Sequence, residues 1–274
     1  MLRFGTSGIP LTSARPATEH GIRRARELGL DCLEMAWVNG VRMKPESADR
    51  IAAAAREHRL ELTAHAPYYV NLCGADDVRE RSLDRLENAG ALASRCGAHS
   101  FCFHAGFYGK LTEAEAQRRV LDGLRQVTAR LRSRGITVDV RPELTGRVSQ
   151  LGSLEHLLDW CTAVPGVRPC IDFSHHYARL QGEPNRYEAF RAVLGAVRSR
   201  LGDAALERLH VHVSGIEFGP RGERRHLPLR ESAFRYRELL RALKDENVSG
   251  WVVSESPEME DDALRLQRAF RRLR

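Results

Sequence analysis

The sequence predicts an α/β protein of one domain, a (β/α)8 TIM barrel over residues 1–274. Short runs rich in β-branched and aromatic residues alternate with long amphipathic stretches along the whole chain. These runs and stretches form eight pairs, and an open doubly wound sheet seldom needs eight regular repeats. The sequence also contains no Pro-, Gly- or Ser-rich linker and no low-complexity block that would mark a domain boundary.

The predicted strands are short apolar runs, and several of them end in an ionisable residue. The run LHVHV, for example, alternates in the way that a strand with two different faces requires. The eight predicted strands occupy residues 2–6, 31–36, 60–65, 99–104, 136–141, 168–172, 208–213 and 251–255.

A predicted helix follows each predicted strand. Thr112 precedes EAEA and Ser153 precedes LEHLLDW, and a hydroxyl side chain at this position caps the first turn of a helix. Acidic residues crowd the first turns, where the helix dipole favours them. The predicted helices occupy residues 16–28, 46–58, 77–96, 112–134, 153–163, 187–201, 230–246 and 260–273.

Composition narrows the class of protein. No window approaches the ~18 apolar residues of a membrane span, and the opening MLRFGTSGIP lacks the apolar core of a secretory signal. The six cysteines form no CxxC pair, which is typical of reduced packing residues rather than of disulfides or a thiolate zinc site. We therefore expect a cytoplasmic monomer with no membrane partner.

The basic residues are almost all arginines. The net charge is +7, and Lys44, Lys110 and Lys244 are the only lysines among 43 basic residues. Arginine binds phosphate with two parallel hydrogen bonds, so a nucleic acid is one partner that this charge favours. A GC-rich genome would also supply scattered arginine codons, and the charge alone leaves both explanations open.

Metal-binding residue types recur at the ends of six successive predicted strands and in the loops that follow. In a (β/α)8 barrel these ends meet at one mouth, where the chemistry takes place. Each residue alone has a structural reading: in CIDFSHHYAR, Asp172 could simply cap the next helix. Together they predict a metal centre, because imidazole and carboxylate are ligands of zinc-like cations. The residues are His65, His104, Glu143, Asp172, His175, His212, His226 and Glu255.

The other histidines are expected to have structural roles. They lie mostly in predicted helices or at alternating strand positions. They are His20, His58, His99, His156, His176 and His210.

Seven motifs between residues 61 and 257 carry a resemblance to a known family: HAPYYVNL, FHAG, PELTGRVSQLGS, CIDFSHHYA, HVHVSG, RRHLPL and VSESP. In order and spacing they resemble the endonuclease IV family of abasic-site endonucleases, within the superfamily of xylose-isomerase-like TIM barrels. The opening GTSGIP does not match that family. The resemblance implies a zinc-dependent enzyme of base excision repair that cleaves double-stranded DNA 5′ to an abasic site and leaves a 3′-hydroxyl.

The resemblance also implies ligand sets. His65, His104 and Glu143 would bind one zinc ion, and Glu143 would bridge to a second ion. Glu143 and Glu255 would be the catalytic carboxylates, and manganese or another divalent metal is an alternative to zinc. The second ion would be held by Glu143, Asp172, His212 and Glu255.

Sugar isomerases and epimerases of the same superfamily are the main alternative. They resemble this chain in the four ligands of that second ion, around one divalent metal. Four further histidines separate the two functions, since a one-metal isomerase does not require them. These are His65, His104, His175 and His226.

DNA recognition is expected from the loops. By resemblance, Tyr68 and Asn71 would lie beside the abasic nucleotide, although Tyr68 could also be a packing residue. The loop after the second strand offers Trp37, Arg42 and Lys44, either as a wedge with phosphate-binding flanks or as a hydrophobic cover.

A third metal site departs from the family, where an Asp-x-His pair usually completes it. Here the tripeptide is Arg224-Arg225-His226, and a guanidinium has no lone pair to offer. The expectation is two firmly bound ions and a third that is weak or absent, with Arg224 and Arg225 directed at phosphate. The alternative is that Glu223 replaces the missing aspartate.

Overall fold

The computed structural model describes residues 1–38, 40–183 and 185–273. Eight parallel strands form a barrel surrounded by helices, which confirms the predicted fold class. The barrel strands are β1 (Leu2–Ser7), β2 (Cys32–Ala36), β3 (Glu61–His65), β4 (Ser100–Phe103), β5 (Asp139–Pro142), β6 (Cys170–Asp172), β7 (Leu209–Val213) and β10 (Gly250–Ser254).

The strand order closes the barrel. Neighbouring strands run β5-β4-β3-β2-β1-β10-β7-β6, each paired in parallel with the next. Parallel bridges from Val140 to Val167 and from Glu143 to Cys170 bring the two remaining edges together. All eight strands therefore end at one mouth, which is the condition that the predicted metal centre needs.

Helices cover the outside of the barrel. The predicted caps at Thr112 and Ser153 are confirmed, since each side chain accepts a hydrogen bond from the third residue of its helix. The helices are α1 (Thr18–Glu27), α2 (Pro45–His58), α3 (Asp76–Arg95), α4 (Glu113–Ser133), α5 (Leu154–Ala163), α6 (Phe173–Arg179), α7 (Tyr187–Leu201), α8 (Asp203–Glu207), α9 (Tyr236–Asp245) and α10 (Glu260–Arg271).

Five elements of the described chain were not predicted: α6, α8, a 3-10 turn at Leu229–Glu231, and the two strands of an antiparallel hairpin, β8 (Gly215–Gly219) and β9 (Gly222–Leu227). The predicted helix 230–246 was wrong at its start, because α9 begins only at Tyr236. The 3-10 turn occupies the intervening chain, and the amide of Leu229 donates to the buried carboxylate of Asp262 at 2.7 Å.

The interior of the barrel is unusually polar. Most (β/α)8 barrels fill it with branched apolar side chains, whereas here Cys32, Trp251 and Val253 form only a small apolar cluster. Buried Glu34, Thr63, Ser100, Arg141, His210 and His212 occupy other inward positions.

The expectations on cysteines and membrane spans can also be compared with the structure. All six cysteines are free thiols, and five of them are buried, as expected of packing residues. Among the described residues, no helix has the length and apolar character that crossing a bilayer demands.

Candidate metal centre

Glu143 lies at the centre of the mouth, completely buried at the end of β5. Its Oε2 is 3.0 Å from His65 Nε2 and 3.4 Å from His104 Nε2. Its Oε1 is 3.2 Å from His175 Nδ1 and 3.3 Å from His212 Nδ1. The two oxygens thus face different histidines, as they must in a carboxylate that bridges two cations. Among the described residues, Glu143 groups within 4.8 Å with His65 and Cys102 and separately with His104 and His175, so the predicted set of His65, His104 and Glu143 does not form one group.

A second group joins Asp172, His212 and Glu255 to Glu143, with ligand atoms all within 4.8 Å of one another. Asp172 Oδ1 accepts the amide of His175 at 2.6 Å and caps α6. Asp172 Oδ2 is buried, and the described residues give it no hydrogen-bond partner. Such an orphaned oxygen needs a cation or another donor, so Asp172 both caps the helix and fits a metal ligand.

A third group consists of His175, Glu223 and His226. The Nε2 atoms of the two histidines are 3.1 Å apart, and Glu223 Oε2 is 3.6 Å from His175 Nε2. Each histidine turns its Nδ1 to a backbone carbonyl at 3.0 Å, Leu144 for His175 and Glu255 for His226. A donor bond from the far nitrogen of this kind orients histidine ligands in metal sites.

Two glycines allow Glu223 to reach this group. A Cβ on Gly146 would lie 2.6 Å from the Cβ of Glu223 and 3.1 Å from the ring of His175. Gly222 has φ of +86°, and a Cβ there would lie 2.1 Å from the carbonyl oxygen of Gly146. The β8–β9 hairpin can therefore approach the loop after β5 only because both positions lack side chains.

Arg224 and Arg225 point away from the third group. Both are exposed, and they pair with Glu217 across the hairpin at 3.3 and 2.7 Å. The structure therefore brings Glu223 into the position that the sequence offered as an alternative, and it does not bring either arginine into the cavity at the metal centre.

The centre carries a strong internal field. Burial raises the pKa of Glu143, but the positive charges of His104 and His212 outweigh it and hold the carboxyl well below its usual pKa. Burial and then the negative charge of Glu255 raise the pKa of Asp172 to about 6, against the opposing charge of His175. Burial lowers the pKa of His65, but its hydrogen bond to Glu143 and the nearby carboxylates raise it to about 9.

This field predicts that metal uptake releases protons. Without metal, His65 remains protonated up to about pH 9, and the pKa values of His175 and His212 are also raised. Zinc must displace these protons, so its apparent affinity should rise between pH 7 and pH 9. Calorimetric titration in buffers of different ionisation enthalpy should show about one or more protons released per zinc near pH 7 and fewer at pH 9. Equal release at both pH values would contradict the assignment.

Zinc affinity should rise with pH, whereas the stability of the metal-free fold should fall with pH. A raised histidine pKa stabilises the metal-free fold fully below the unfolded value of 6.5, and the contribution is lost as pH rises through about 9. The melting temperature of the metal-free protein should therefore fall over this range relative to that of the metal-loaded protein.

A cavity of about 370 Å³ opens onto the centre. Tyr68 stands at its edge with 51% of its surface exposed, and its ring centroid is 5.3 Å from that of His65. Three residues not predicted from the sequence complete the wall: Phe107, Arg147 and Gln150, whose amide lies 3.4 Å from His104 Nδ1. Tyr68 is thus placed to touch a bound molecule.

Asn71 and the described residues of the loop after β2, including Trp37, Arg42 and Lys44, do not line this cavity. Asn71 Oδ1 instead accepts the amides of Cys73 and Phe107 at 3.1 and 3.3 Å, which fixes the backbone beside the mouth. Trp37 packs against the core, as expected of a hydrophobic cover, while Arg42 and Lys44 are exposed.

His156 and His176 lie outside the metal centre, as expected of histidines with structural roles. His156 lies 2.9 Å from Glu113 outside the barrel. His176 is buried, which with the nearby charge of Arg179 lowers its pKa to about 4. His210 differs, because it lies inside the barrel with Nε2 2.9 Å from Glu34.

The geometry at the mouth fits divalent metal ions, with clustered carboxylates and imidazoles and an orphaned carboxylate oxygen. The family model described as xylose isomerase-like TIM barrel matches residues 22–274 of the chain. The chain belongs to this family. Family membership makes a metal-dependent enzyme the natural reading of the centre, and it leaves the reaction open.

This xylose isomerase-like chain is similar to an uncharacterised relative and to solved structures whose names give different activities. It is 37% identical over 274 residues to an uncharacterised protein of Methanocaldococcus jannaschii, covering 100% of this chain and 98% of that protein. Endonuclease IV from Thermus thermophilus superposes with a TM-score of 0.74 at 21% identity, covering 97% of each chain. A D-tagatose 3-epimerase-like protein also gives 0.74, at 17% identity and with 98% and 96% covered. At such identities the likeness concerns the fold.

Proposed function

We propose that this protein is a metal-dependent endonuclease that cleaves DNA 5′ to abasic sites. The observation that carries the proposal is the third ligand group, in which His175, Glu223 and His226 converge beside Glu143. A sugar enzyme with one metal would not require this group or His65 and His104. Phosphodiester cleavage uses several ions, because charge develops on both the attacking and the leaving oxygen.

The residues of the centre have separate tasks in this reaction. Divalent ions held there would supply Lewis-acid activation of water and neutralise charge on the phosphate. Glu143 and Glu255 would themselves hold divalent ions beside the reacting phosphate, and a ligand set of imidazoles and carboxylates favours zinc over magnesium. Tyr68, Phe107 and Gln150 line the cavity into which the abasic sugar would turn.

An arginine groove continues from the cavity along the hairpin. Arg147 lines both the cavity and the groove, and Arg221 and Arg224 line the groove beyond it. Guanidinium groups beside a metal centre suit a DNA strand, whose phosphates would follow the groove away from the cleaved bond. Double-stranded DNA carrying an abasic site is therefore the proposed partner.

A sugar isomerase or epimerase is the second candidate. The cavity of about 370 Å³ lies in the range of sites for small molecules, and Glu143, Asp172, His212 and Glu255 would suffice to hold one metal. Under this alternative the two glutamates would transfer protons on a bound sugar, and the third group would be dispensable.

The discriminating experiment uses a duplex with one tetrahydrofuran residue as a stable abasic site. The purified protein should nick it 5′ to that residue when supplied with zinc or manganese, and prolonged chelation should remove the activity. An unmodified duplex of the same sequence is the control. If no metal restores nicking while a panel of ketoses is isomerised, the endonuclease assignment is wrong.

The affinity for DNA should fall steeply as the salt concentration rises, and it should depend on the arginines of the groove. Replacing both Arg147 and Arg221 by glutamine should weaken binding and reduce the slope of log affinity against log salt by about 0.9 for each phosphate that these arginines neutralise. Replacing Arg42 or Lys44 should also weaken binding and leave the bound metal unchanged. Arg56→Gln, at the opposite end of the barrel on α2, is the control. Fluorescence anisotropy over a salt series measures the slopes, and identical slopes would exclude the groove.

A further inference from the structure

Glu34 is a buried carboxylate inside the barrel, one layer below the metal centre. It lies on β2 and has no exposed surface. Ser7 Oγ donates to Oε1 at 3.2 Å and Thr63 Oγ1 donates to Oε2 at 3.0 Å. A buried carboxylate is costly unless donors surround it, and these two hydroxyls fix the plane of the carboxylate.

Glu34 also contacts His212, which belongs to the metal centre. His212 Nε2 is 3.1 Å from Glu34 Oε1 and 3.4 Å from Oε2. On the other side of the same ring, His212 Nδ1 is 3.3 Å from Glu143 Oε1 and 3.6 Å from Glu255 Oε2. The ring thus stands between Glu34 below and the metal-binding carboxylates above.

We propose that Glu34 is the positioning residue of the metal centre: it accepts the Nε2 proton of His212, fixes that tautomer and directs Nδ1 at the metal. A carboxylate that holds the far nitrogen of a ligating imidazole makes the ligand more basic and restricts its rotation. The inference rests on the metal centre of the proposed function and does not depend on which substrate the centre acts on.

A competing arrangement exists below His212. Cys102, Cys170, His210 and His212 also have ligand atoms within 4.8 Å of one another. A metal there would take the Nε2 of His212 as its ligand, and soft thiolates would dominate the site. The two arrangements demand opposite tautomers of one ring.

Two features favour a metal on the Nδ1 side of His212, beside Glu143, over a metal among the cysteines on the Nε2 side. Glu34 already occupies the Nε2 side of His212, and Cys102 Sγ, 3.8 Å from that nitrogen, also lies 3.6 Å from Glu34 Oε2. On the Nδ1 side, Asp172 Oδ2 is buried and accepts no hydrogen bond from the described residues, although His175 Nδ1 lies 3.5 Å away. The acceptor without a hydrogen bond, Asp172 Oδ2, therefore lies on the Nδ1 side of the His212 ring, whereas the carboxylate of Glu34 on the Nε2 side already has donors.

The first test uses the unmodified protein. Zinc-loaded protein labelled with nitrogen-15 in its histidines should show His212 with a protonated Nε2 and a metal-shifted Nδ1. The cobalt-loaded protein should lack a thiolate-to-cobalt charge-transfer band in the near ultraviolet. The reverse tautomer, or a thiolate band, would place the metal among the cysteines and overturn the proposal.

The second test measures metal affinity in variants. Glu34→Gln should lower the zinc affinity of the site that contains His212 by about tenfold, and Glu34→Ala should lower it by up to about 100-fold. Competition with a chromophoric chelator measures both affinities. Thr63→Val, which removes one donor to Glu34, should have a smaller effect in the same direction.

Glu61→Gln is the matched control for these variants. Glu61 lies on β3 and pairs instead with Arg3 and with the indole of Trp251. Its substitution should leave zinc affinity within about twofold. If Glu34→Gln retains full zinc affinity and the His212 tautomer of the unmodified protein, Glu34 is not the positioning residue. Absence of DNA cleavage by the zinc-loaded unmodified protein would contradict only the proposed function.

Discussion

Glu143→Gln is expected to reduce nicking of an abasic duplex by about 10³-fold, because the neutral amide cannot bridge two cations. Both carboxylate oxygens face histidines, with Oε2 3.0 Å from His65 and Oε1 3.3 Å from His212. One metal ion supplies several kcal/mol of transition-state stabilisation, and a loss of about 4 kcal/mol corresponds to about 10³-fold in rate. Single-turnover cleavage at saturating protein, together with metal analysis, measures the change.

Glu113→Gln controls for removal of a carboxylate that contacts a histidine. Glu113 pairs with His156 at the start of α4, outside the barrel, and its replacement should leave the rate within about twofold. Glu143→Gln should also lose at least one bound metal ion while keeping its circular dichroism. A variant that keeps the metal content and rate of the unmodified protein would show that Glu143 is not a bridging ligand.

The barrel could be predicted because its signals are local. Each strand is an apolar run with its own boundary residues, and the predicted strand 60–65 differs from the observed Glu61–His65 by one residue. The β8–β9 hairpin could not be predicted with equal ease. Its position depends on Gly222 approaching Gly146 and on the amide of Val148 donating to the carbonyl of Arg221, contacts between distant segments. The turn residues Pro220 and Gly222 between two short alternating runs were the available signal.

The candidate site likewise contains residues that the sequence could place and residues that it could not. Residues at strand ends could be placed at one mouth from the fold alone, since parallel strands of a barrel end together. Glu34 lies within β2 rather than at its end, so a search of strand ends misses it. A single acidic residue in the otherwise apolar run CLEMA was a usable signal, because buried carboxylates are rare without partners. The pairing of Asn71 with Phe107, 36 residues away, had no local signal.

The β8–β9 hairpin determines whether the centre can hold a third metal ion, because it carries Glu223 and His226. Sequence comparison with the endonuclease IV motif leaves arginine at the ligand position, and a guanidinium repels a cation. In the structure, Glu217 pairs with both arginines on the outer side, while Glu223 turns inward beside His175. A shift of one residue along the hairpin thus exchanges a cationic side chain for a carboxylate at the site.

We expect the protein to bind three zinc ions and Glu223→Ala to bind two, with cleavage reduced by about 10²-fold. His175 and His226 alone would leave two protein ligands where a zinc site usually has three or four. Losing about 3 kcal/mol of charge stabilisation corresponds to about 10²-fold in rate. Metal analysis of extensively dialysed protein and anomalous scattering at the position between His175 and His226 measure occupancy directly.

Two further variants separate ligand loss from damage to the hairpin. Glu217→Ala removes a carboxylate from the same hairpin that pairs with Arg224 and Arg225 on the outer side, and should keep three ions. Gly146→Ala retains every ligand but places a Cβ 2.6 Å from that of Glu223. Because this clash pushes Glu223 away from His175, Gly146→Ala should lose the third ion as Glu223→Ala does. Three full-occupancy ions in both Glu223→Ala and Gly146→Ala would mean that another group completes the third site and that Glu223 is not its ligand.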